Sequence, residues 1–127
     1  MSITRISSGG PYEAVIGYSR AVVAGPFVLV SGCTATVDGV VVHEGDAYSQ
    51  AVTALGIALD AVAKAGGSAA DVVRTRMYVV DMADSDAVGR AHAFYFADVR
   101  PAATMVQVSA FIDPRMLVEI EVEAYVP

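Results

Sequence analysis

Few side chains in this sequence could do chemistry, and most of them lie outside any known catalytic pattern. The single cysteine, Cys33, follows Ser31-Gly32 at the end of a predicted strand. A nucleophile could sit there, or a small apolar side chain could pack there. His43 and His92 have no partner at metal-ligand spacing. No phosphate-binding loop, dinucleotide-binding glycine motif, nucleophile elbow or zinc-protease motif occurs. We therefore expect no metal site.

Charged side chains alternate with apolar ones near the C-terminus. Every second residue from Glu119 to Glu123 is a glutamate, and alternate side chains of a strand share one face of the sheet. Arg74 and Arg76 share a face of an earlier predicted strand in the same way. One face of the sheet should therefore mix charged and apolar groups, and a sheet of another subunit could cover it.

The chain has room for one domain with one main core, so we treat residues 1–127 as a single domain. Apolar residues make up 55% of it, and the mean hydropathy is +0.54. The longest apolar stretch runs from Ala21 to Val30, is interrupted by Gly25-Pro26 and is too short to span a bilayer. Such an apolar small domain is expected to associate with further copies of itself.

The charge balance and the cysteine content limit which binding partners and which cellular compartment are expected. Eight basic and fourteen acidic residues give a net charge of −6, so the cationic surface that nucleic acids need is missing. No apolar signal segment occurs between Met1 and Gly10. A single cysteine fits a reducing compartment. We expect a cytoplasmic soluble protein with no nucleic-acid or membrane partner.

Periodicity predicts the element order βββαβαββ. Between Asp46 and Ala65, apolar residues recur at helical spacing, with Asp46 as N-cap and Gly66-Gly67 as the C-terminal stop. The apolar positions of this helix are Val52, Leu55, Leu59 and Val62. The other predicted elements are strands at 3–6, 20–24, 27–31, 72–80, 105–109 and 117–125, a hairpin around 37–40, a helical turn at 68–71 and a helix over 84–97. Two helices and one mixed sheet predict an α+β fold with both helices on one face.

Several short motifs follow one another in a fixed order. They are Ile16-Gly-Tyr-Ser-Arg-Ala21, Val30-Ser-Gly32, Arg100-Pro-Ala-Ala-Thr-Met-Val106 and Leu117-Val-Glu-Ile-Glu121. In order and spacing the chain resembles the Rid/YjgF family, the reactive intermediate deaminases, whose motifs read G-P-Y-S-Q-A, V-S-G, D-V-V-K-T, P-A-R-S-x-V and V-E-I-E-A. The resemblance extends over nearly the whole chain.

The resemblance implies a chorismate-mutase-like subunit that assembles as a homotrimer, with sites in the clefts between subunits. It implies hydrolysis of enamines or imines to 2-keto acids and ammonia, without metal or cofactor. The matching positions make Glu119, Tyr18 and Ser31 the candidate catalytic residues. Glu119 would position the water, Ser31 would help to hold it, and Tyr18 would wall the pocket. Gly32 and Cys33 would lie against the substrate.

The chain departs from the family where the substrate carboxylate is bound. The family arginine corresponds to Ala103, and the cysteine two residues later corresponds to Met105, with Thr104 between them. We therefore expect poor activity on imines of 2-amino acids and a preference for a neutral or apolar group at this position. The alternative is that Arg20 or Arg76 supplies the missing cation from a neighbouring strand.

Three functions are compatible with these residues. The first is an enamine/imine deaminase of altered specificity, which Tyr18, Ser31 and Glu119 favour. The second is a non-catalytic trimer that binds a small metabolite in the same cleft, which the missing arginine favours. The third is an endoribonuclease, an activity also ascribed to some relatives, which the negative charge disfavours. Glu119 could instead belong to a cross-strand ion ladder with Arg74 or Arg76.

Overall fold

A six-stranded mixed sheet forms the framework of the computed structural model, which describes residues 2–127. The described residues form eight strands, of which six belong to this sheet. They are β1 (Ile3–Ile6), β2 (Ala21–Ala24), β3 (Phe27–Cys33), β4 (Thr36–Val37), β5 (Val40–Val41), β6 (Val72–Val79), β7 (Ala102–Gln107) and β8 (Val118–Tyr125). The order across the main sheet is β1-β2-β3-β8-β6-β7. Neighbours are antiparallel except β6 and β7, which are parallel. The predicted α+β class is confirmed.

The two helices cover one face of this sheet. Helix α1 (Ala47–Lys64) packs on β3 and β8, and α2 (Ser85–Phe96) packs beside α1. The side chain of Asp46 accepts the backbone N–H of Ser49 at 3.0 Å, which confirms the predicted N-cap. At the other end Gly66 has φ +91°, the left-handed conformation that ends a helix most easily with glycine. Neither helix combines the length and apolar composition that a membrane-spanning helix of residues 2–127 would need.

The buried side chains of α1 are smaller than the spacing of its large apolar residues predicts. Leu55 and Val62 are fully buried, but the predicted core residues Val52 and Leu59 are only partly buried. Alanines occupy most of the buried positions, namely Ala47, Ala51, Ala54, Ala58 and Ala61. Such small side chains let the helix backbone approach the sheet closely, and alanine periodicity is easy to overlook in a sequence.

Strand β7 begins earlier than predicted. It covers Ala102–Gln107 instead of 105–109, because its parallel pairing with β6 starts at Arg74↔Ala102 and ends at Val79↔Gln107. Nearly all of β7 is exposed at the edge of the sheet, so no alternation of buried and exposed residues marks its start. Strands β4 and β5 form a separate hairpin, as the Asp38-Gly39 signal predicts; both turn residues have positive φ.

The sheet face opposite the helices mixes charged and apolar side chains, as predicted. In β8 the glutamates alternate with fully buried residues from Val118 to Ala124. Large apolar side chains are exposed on the strands of this sheet, among them Ile3, Phe27, Leu29, Val106 and Tyr125. Phe27 and Tyr125 also pack edge to face, with ring centroids 5.3 Å apart. We call this surface the outer face.

Candidate active site

A cavity of about 810 Å³ opens where β8 begins and β3 ends. Its walls come from segments within residues 8–20, 31–39 and 110–119, with Ile57 of α1 behind them. Four separate parts of the chain therefore enclose it. It brings together predicted site residues that lie up to a hundred positions apart in sequence, namely Tyr18, Arg20, Ser31, Gly32, Cys33 and Glu119.

The other predicted site residues lie outside this cavity. Arg76 is on β6, and Ala103, Thr104 and Met105 are on β7, at the far edge of the sheet. Ala103 is in register with Thr75 and is exposed, as is Thr104. Within one subunit, these three residues of β7 do not contribute to the cavity that holds Glu119.

Glu119 reaches the cavity because β3 is irregular beside it. The pairing of β3 with β8 shifts between Val30 and Cys33, and Gly32 lies within this shift. A Cβ atom on Gly32 would come within 2.7 Å of Glu119 Oε2, closer than real side chains approach. Only glycine therefore leaves room for this carboxylate. Burial raises the pKa of Glu119, the nearby Glu121 raises it further, and Arg20 opposes both.

The other two glutamates of β8 are engaged by β6. Arg76 Nη1 lies 2.6 Å from Glu123 Oε1 and 3.9 Å from Glu121 Oε1, and the Tyr78 hydroxyl donates to Glu121 at 3.0 Å. The predicted ion ladder therefore exists, but Glu119 is not part of it. Among residues 2–127, Glu119 has no cationic partner within 4.0 Å.

Arg20 lies across the wall of the cavity. Its Nη1 donates to the carbonyl of Gly32 at 2.7 Å and to that of Ser31 at 3.3 Å. Its guanidinium carbon lies 5.5 Å from the ring centroid of Tyr18, a cation–π distance. Of the two arginines that could supply a cation, Arg20 therefore lines the cavity and Arg76 does not.

Ser31 and Cys33 are less free to react than their types suggest. The Ser31 hydroxyl donates to the backbone carbonyl of Ser19 at 2.7 Å, which leaves its oxygen only as an acceptor. Cys33 is 2% exposed. Burial raises the pKa of its thiol to about 11, against the opposing effect of Arg20. The thiol is therefore protonated at neutral pH, which favours packing over nucleophilic attack.

Glu13 supports one wall of the cavity, a position that the sequence analysis did not predict. Its carboxylate is 8% exposed and accepts from Ser8 Oγ at 2.8 Å, Gly10 N at 3.0 Å and Ser8 N at 3.1 Å. Burial raises its pKa, but hydrogen bonds from Ser8, Gly10 and Ser7 outweigh this and hold the pKa at about 2. Glu13 thus fixes the segment that forms one wall. The turn residues Gly9-Gly10-Pro11 just before it were the available signal.

Gln50 holds the opposite wall in a similar way. This fully buried amide donates to the carbonyls of Arg115 at 2.9 Å and His43 at 3.3 Å, and accepts from Leu117 N at 2.9 Å. It therefore ties the segment before β8 to α1. No group of three His, Cys, Asp or Glu side chains within residues 2–127 is arranged to hold a metal ion.

The comparisons with known proteins show which family the chain belongs to. The family model described as Endoribonuclease L-PSP matches residues 10–126. An uncharacterized protein of Streptomyces coelicolor is 45% identical over 98% of this chain and 92% of its own length. The 3-aminoacrylate deaminase RutC of Acinetobacter baylyi is 38% identical over 68% of each chain.

The solved structures extend the match to the whole fold. A Mycobacterium tuberculosis member of the YjgF/YER057c/UK114 family has a TM-score of 0.89 at 46% identity, covering 98% of this chain and 100% of that one. A Rid-family protein of Yersinia pestis has a TM-score of 0.88 at 27% identity, covering 98% and 100%. The chain belongs to the family whose model is named Endoribonuclease L-PSP, also called YjgF or Rid.

Proposed function

We propose that this protein hydrolyses a small reactive enamine or imine to a carbonyl compound and ammonia, with no cofactor, and that Glu119 handles the proton. One observation carries the proposal. Among three glutamates on the same strand face, Glu119 alone lines the cavity, and burial raises its pKa. A carboxyl group of raised pKa in a half-buried cavity is suited to both accept and donate a proton.

The chemistry needs little more than a held water and a proton carrier. The imine reacts in its protonated form, which an enamine reaches by taking a proton on carbon from Glu119. The oxygen of water then bonds to the imine carbon while Glu119 takes a proton from that water, which gives a carbinolamine, and Glu119 passes this proton to the nitrogen. As the carbon–nitrogen bond breaks and ammonia leaves, the hydroxyl proton returns to Glu119 and the carbonyl forms. The hydroxyl of Tyr18 and the oxygen of Ser31 are polar groups that can hold the substrate and the water, and the half-buried cavity limits competing solvent.

The substrate specificity is expected to differ from that of relatives that carry arginine at the position of Ala103. The name of the Acinetobacter baylyi relative states that it acts on 3-aminoacrylate, which supports the enamine class. Ala103 provides no hydrogen-bond donor in its side chain, and Met105 is larger and more apolar than cysteine. The strand β7 of this chain therefore offers an apolar surface where such relatives have a cation.

A homotrimer would bring β7 of one subunit to the cavity of the next. The exposed edge strand and the exposed apolar side chains of the outer face support this assembly. Light scattering on a sizing column should then give three times 13.2 kDa. A stable monomer at micromolar concentration would contradict the assembly and the substrate-binding role of residues 103–105.

The function is tested by ammonia release from enzymatically generated imines. Glu119→Gln should lower turnover by about 10²- to 10⁴-fold, the usual contribution of a general acid–base group. The matched control is Glu121→Gln, two residues further on the same strand face, which should stay within about threefold of wild type. An active Glu119→Gln variant with an inactive Glu121→Gln variant would show that the carboxylate has been assigned wrongly.

Two other outcomes would replace the proposal. If the wild type binds small 2-oxo acids but releases no ammonia from any imine, the protein is a binding trimer. If it cleaves RNA and Glu119→Ala abolishes the cleavage, the endoribonuclease named by the family model is the better description. The net charge of −6 makes us expect no cleavage.

A further inference from the structure

The cation in the cavity, Arg20, has two of its three guanidinium nitrogens held by the protein, and the third is nearly free. Arg20 Nε donates to Ser8 Oγ at 3.4 Å, and Nη1 donates to Gly32 O at 2.7 Å. No carboxylate of residues 2–127 lies within 4.0 Å of its guanidinium. A charged group in this position without an ionic partner can take one from a ligand.

The third nitrogen of Arg20, Nη2, and the hydroxyl of Tyr18 can both donate hydrogen bonds into the cavity. Arg20 Nη2 has one protein contact, the hydroxyl oxygen of Tyr18 at 3.5 Å, which is at the outer limit of a hydrogen bond. An arginine Nη2 carries two N–H groups, so at least one has no protein acceptor. Because Tyr18 accepts from Arg20, its own O–H proton can point elsewhere. Both side chains line the cavity.

A buried carboxylate fixes this geometry through one serine. Ser8 Oγ donates to Glu13 Oε2 at 2.8 Å while it accepts from Arg20 Nε. Glu13 thereby orients the Ser8 hydroxyl, and this hydroxyl contacts only the Nε of the guanidinium. The chain of contacts leaves Nη2 as the end of Arg20 available to a ligand.

We propose that Arg20 and Tyr18 form a carboxylate-binding site in this cavity, with Glu13 and Ser8 as its positioning residues. Two donors 3.5 Å apart can each bind one oxygen of the same carboxylate. Gly32 lies between this site and Glu119, since its carbonyl binds Arg20 and its Cα faces the Glu119 carboxylate. The ligand is therefore a small molecule in which a carboxylate lies a few bonds from the reacting carbon.

This site changes the expectation drawn from Ala103. A neutral or apolar group was expected because β7 lacks the family arginine, with Arg20 or Arg76 as possible substitutes. Arg76 is held by Glu123 and Glu121 on the outer face, whereas Arg20 faces the cavity. The carboxylate is thus bound from the β2 side of the cavity instead of from β7. The identity of the reacting carbon rests on the proposed function, but the carboxylate site does not.

The test is equilibrium binding of pyruvate and of its neutral amide, pyruvamide, followed by NMR titration of the full-length protein. Wild type should bind pyruvate about 10- to 150-fold more tightly than pyruvamide, the range expected for charged hydrogen bonds. Arg20→Gln should remove this preference, and Arg76→Gln should keep it. Equal affinity of the wild type for both probes, or an unchanged preference in Arg20→Gln, would overturn the site.

Two further variants keep the test decisive if Arg20→Gln does not fold. Tyr18→Phe removes one donor and leaves every contact of Arg20 with Ser8 and Gly32 in place. It should weaken pyruvate binding about 3- to 10-fold without affecting pyruvamide. Glu13→Gln should weaken pyruvate binding and raise KM for a carboxylate substrate, with less effect on kcat. No selective loss in either variant would also overturn the site.

Binding and turnover separate this proposal from the deaminase proposal. Arg20-dependent pyruvate binding without ammonia release would leave the carboxylate site intact and remove the deaminase. Ammonia release by a protein with no preference for pyruvate over pyruvamide would do the reverse.

Discussion

The two ends of β8 carry the same residue type in very different surroundings. Glu119 at the start of the strand borders a cavity and has no cationic partner among residues 2–127. Glu121 and Glu123 lie two and four residues later on the same face and contact Tyr78 and Arg76. The side chain, the strand and the face are the same, so the neighbouring strands must make the difference.

The two strands beside β8 contact different members of its three glutamates. At the start of β8, the irregular end of β3 presents Gly32, whose missing side chain leaves room for a half-buried carboxylate. Further along, Arg76 of β6 contacts Glu121 and Glu123, and the hydroxyl of Tyr78 donates to Glu121. A glutamate becomes a candidate for chemistry where the sheet provides space and burial, and a structural charge where it provides an arginine.

Among the substitutions that test the difference between Glu119 and the other two glutamates, one that fills the space beside Glu119 should have the largest effect on ammonia release. In Gly32→Ala the new methyl group would lie 2.7 Å from Oε2, so the carboxylate must move. A displacement of about 1 Å can cost on the order of 10²-fold in rate. We expect ammonia release to fall at least about tenfold.

Gly89→Ala provides a matched control for this substitution. Gly89 lies in α2, and a Cβ atom there meets no other atom within 4 Å. The variant should keep full turnover and gain about 0.5–1 kcal/mol of unfolding free energy, because alanine favours a helix over glycine. Full activity in Gly32→Ala would mean that Glu119 does not need the position described here.

The sequence predicted the parts of this site that follow a regular pattern. Strand alternation put the three glutamates on one face, and the motif around Tyr18 indicated the cavity wall. Strand alternation alone could not tell Glu119 from Glu121, and only the family resemblance singled out Glu119. The physical difference depends on an irregular pairing between β3 and β8, two strands far apart in sequence. The fold class and the elements with clear periodicity were predictable for the same reason.

Neither the role of Glu13 nor the start of β7 was predicted, because neither follows from a periodic sequence pattern. Glu13 is the first residue of a single π-helical turn, Glu13–Gly17, and it acts through hydrogen bonds with the preceding turn, which has no periodicity. The start of β7 is set by its pairing with β6 and not by burial, because the strand is exposed at the sheet edge. The sequence signals Glu13 only through the turn residues Gly9-Gly10-Pro11, and no pattern marks the start of β7.

A smaller effect is expected from neutralising Glu121. Its negative charge raises the pKa of Glu119, so removing it should lower that pKa. If the Glu119 carboxylate is the proton acceptor, activity rises with pH through this pKa. The acidic limb of the pH–rate profile should therefore move to lower pH in Glu121→Gln, while the plateau stays within about threefold. A shift to higher pH would contradict the assigned interaction.

The smallest effect is expected for Glu123, the last of the three glutamates of β8. Glu123→Gln weakens the contact with Arg76, but both side chains are more than a third exposed, 35% and 39%. Exposed pairs contribute little to stability because water and salt screen them. Chemical denaturation should show a small loss of unfolding free energy at low salt and a smaller one at about 1 M salt, with ammonia release unchanged. A loss of turnover would place Glu123 in the site as well.

The central claim, that Glu119 alone of the three carboxyls is set up to carry a proton, is tested most directly by titrating it. Carbon-13 NMR of the glutamate side chains, assigned with Glu119→Gln, would follow its carboxyl group as the pH is varied. We predict a midpoint for Glu119 above 4.5, the ordinary value for this side chain, because burial and Glu121 disfavour its charged form. A midpoint at or below 4.5 would contradict it.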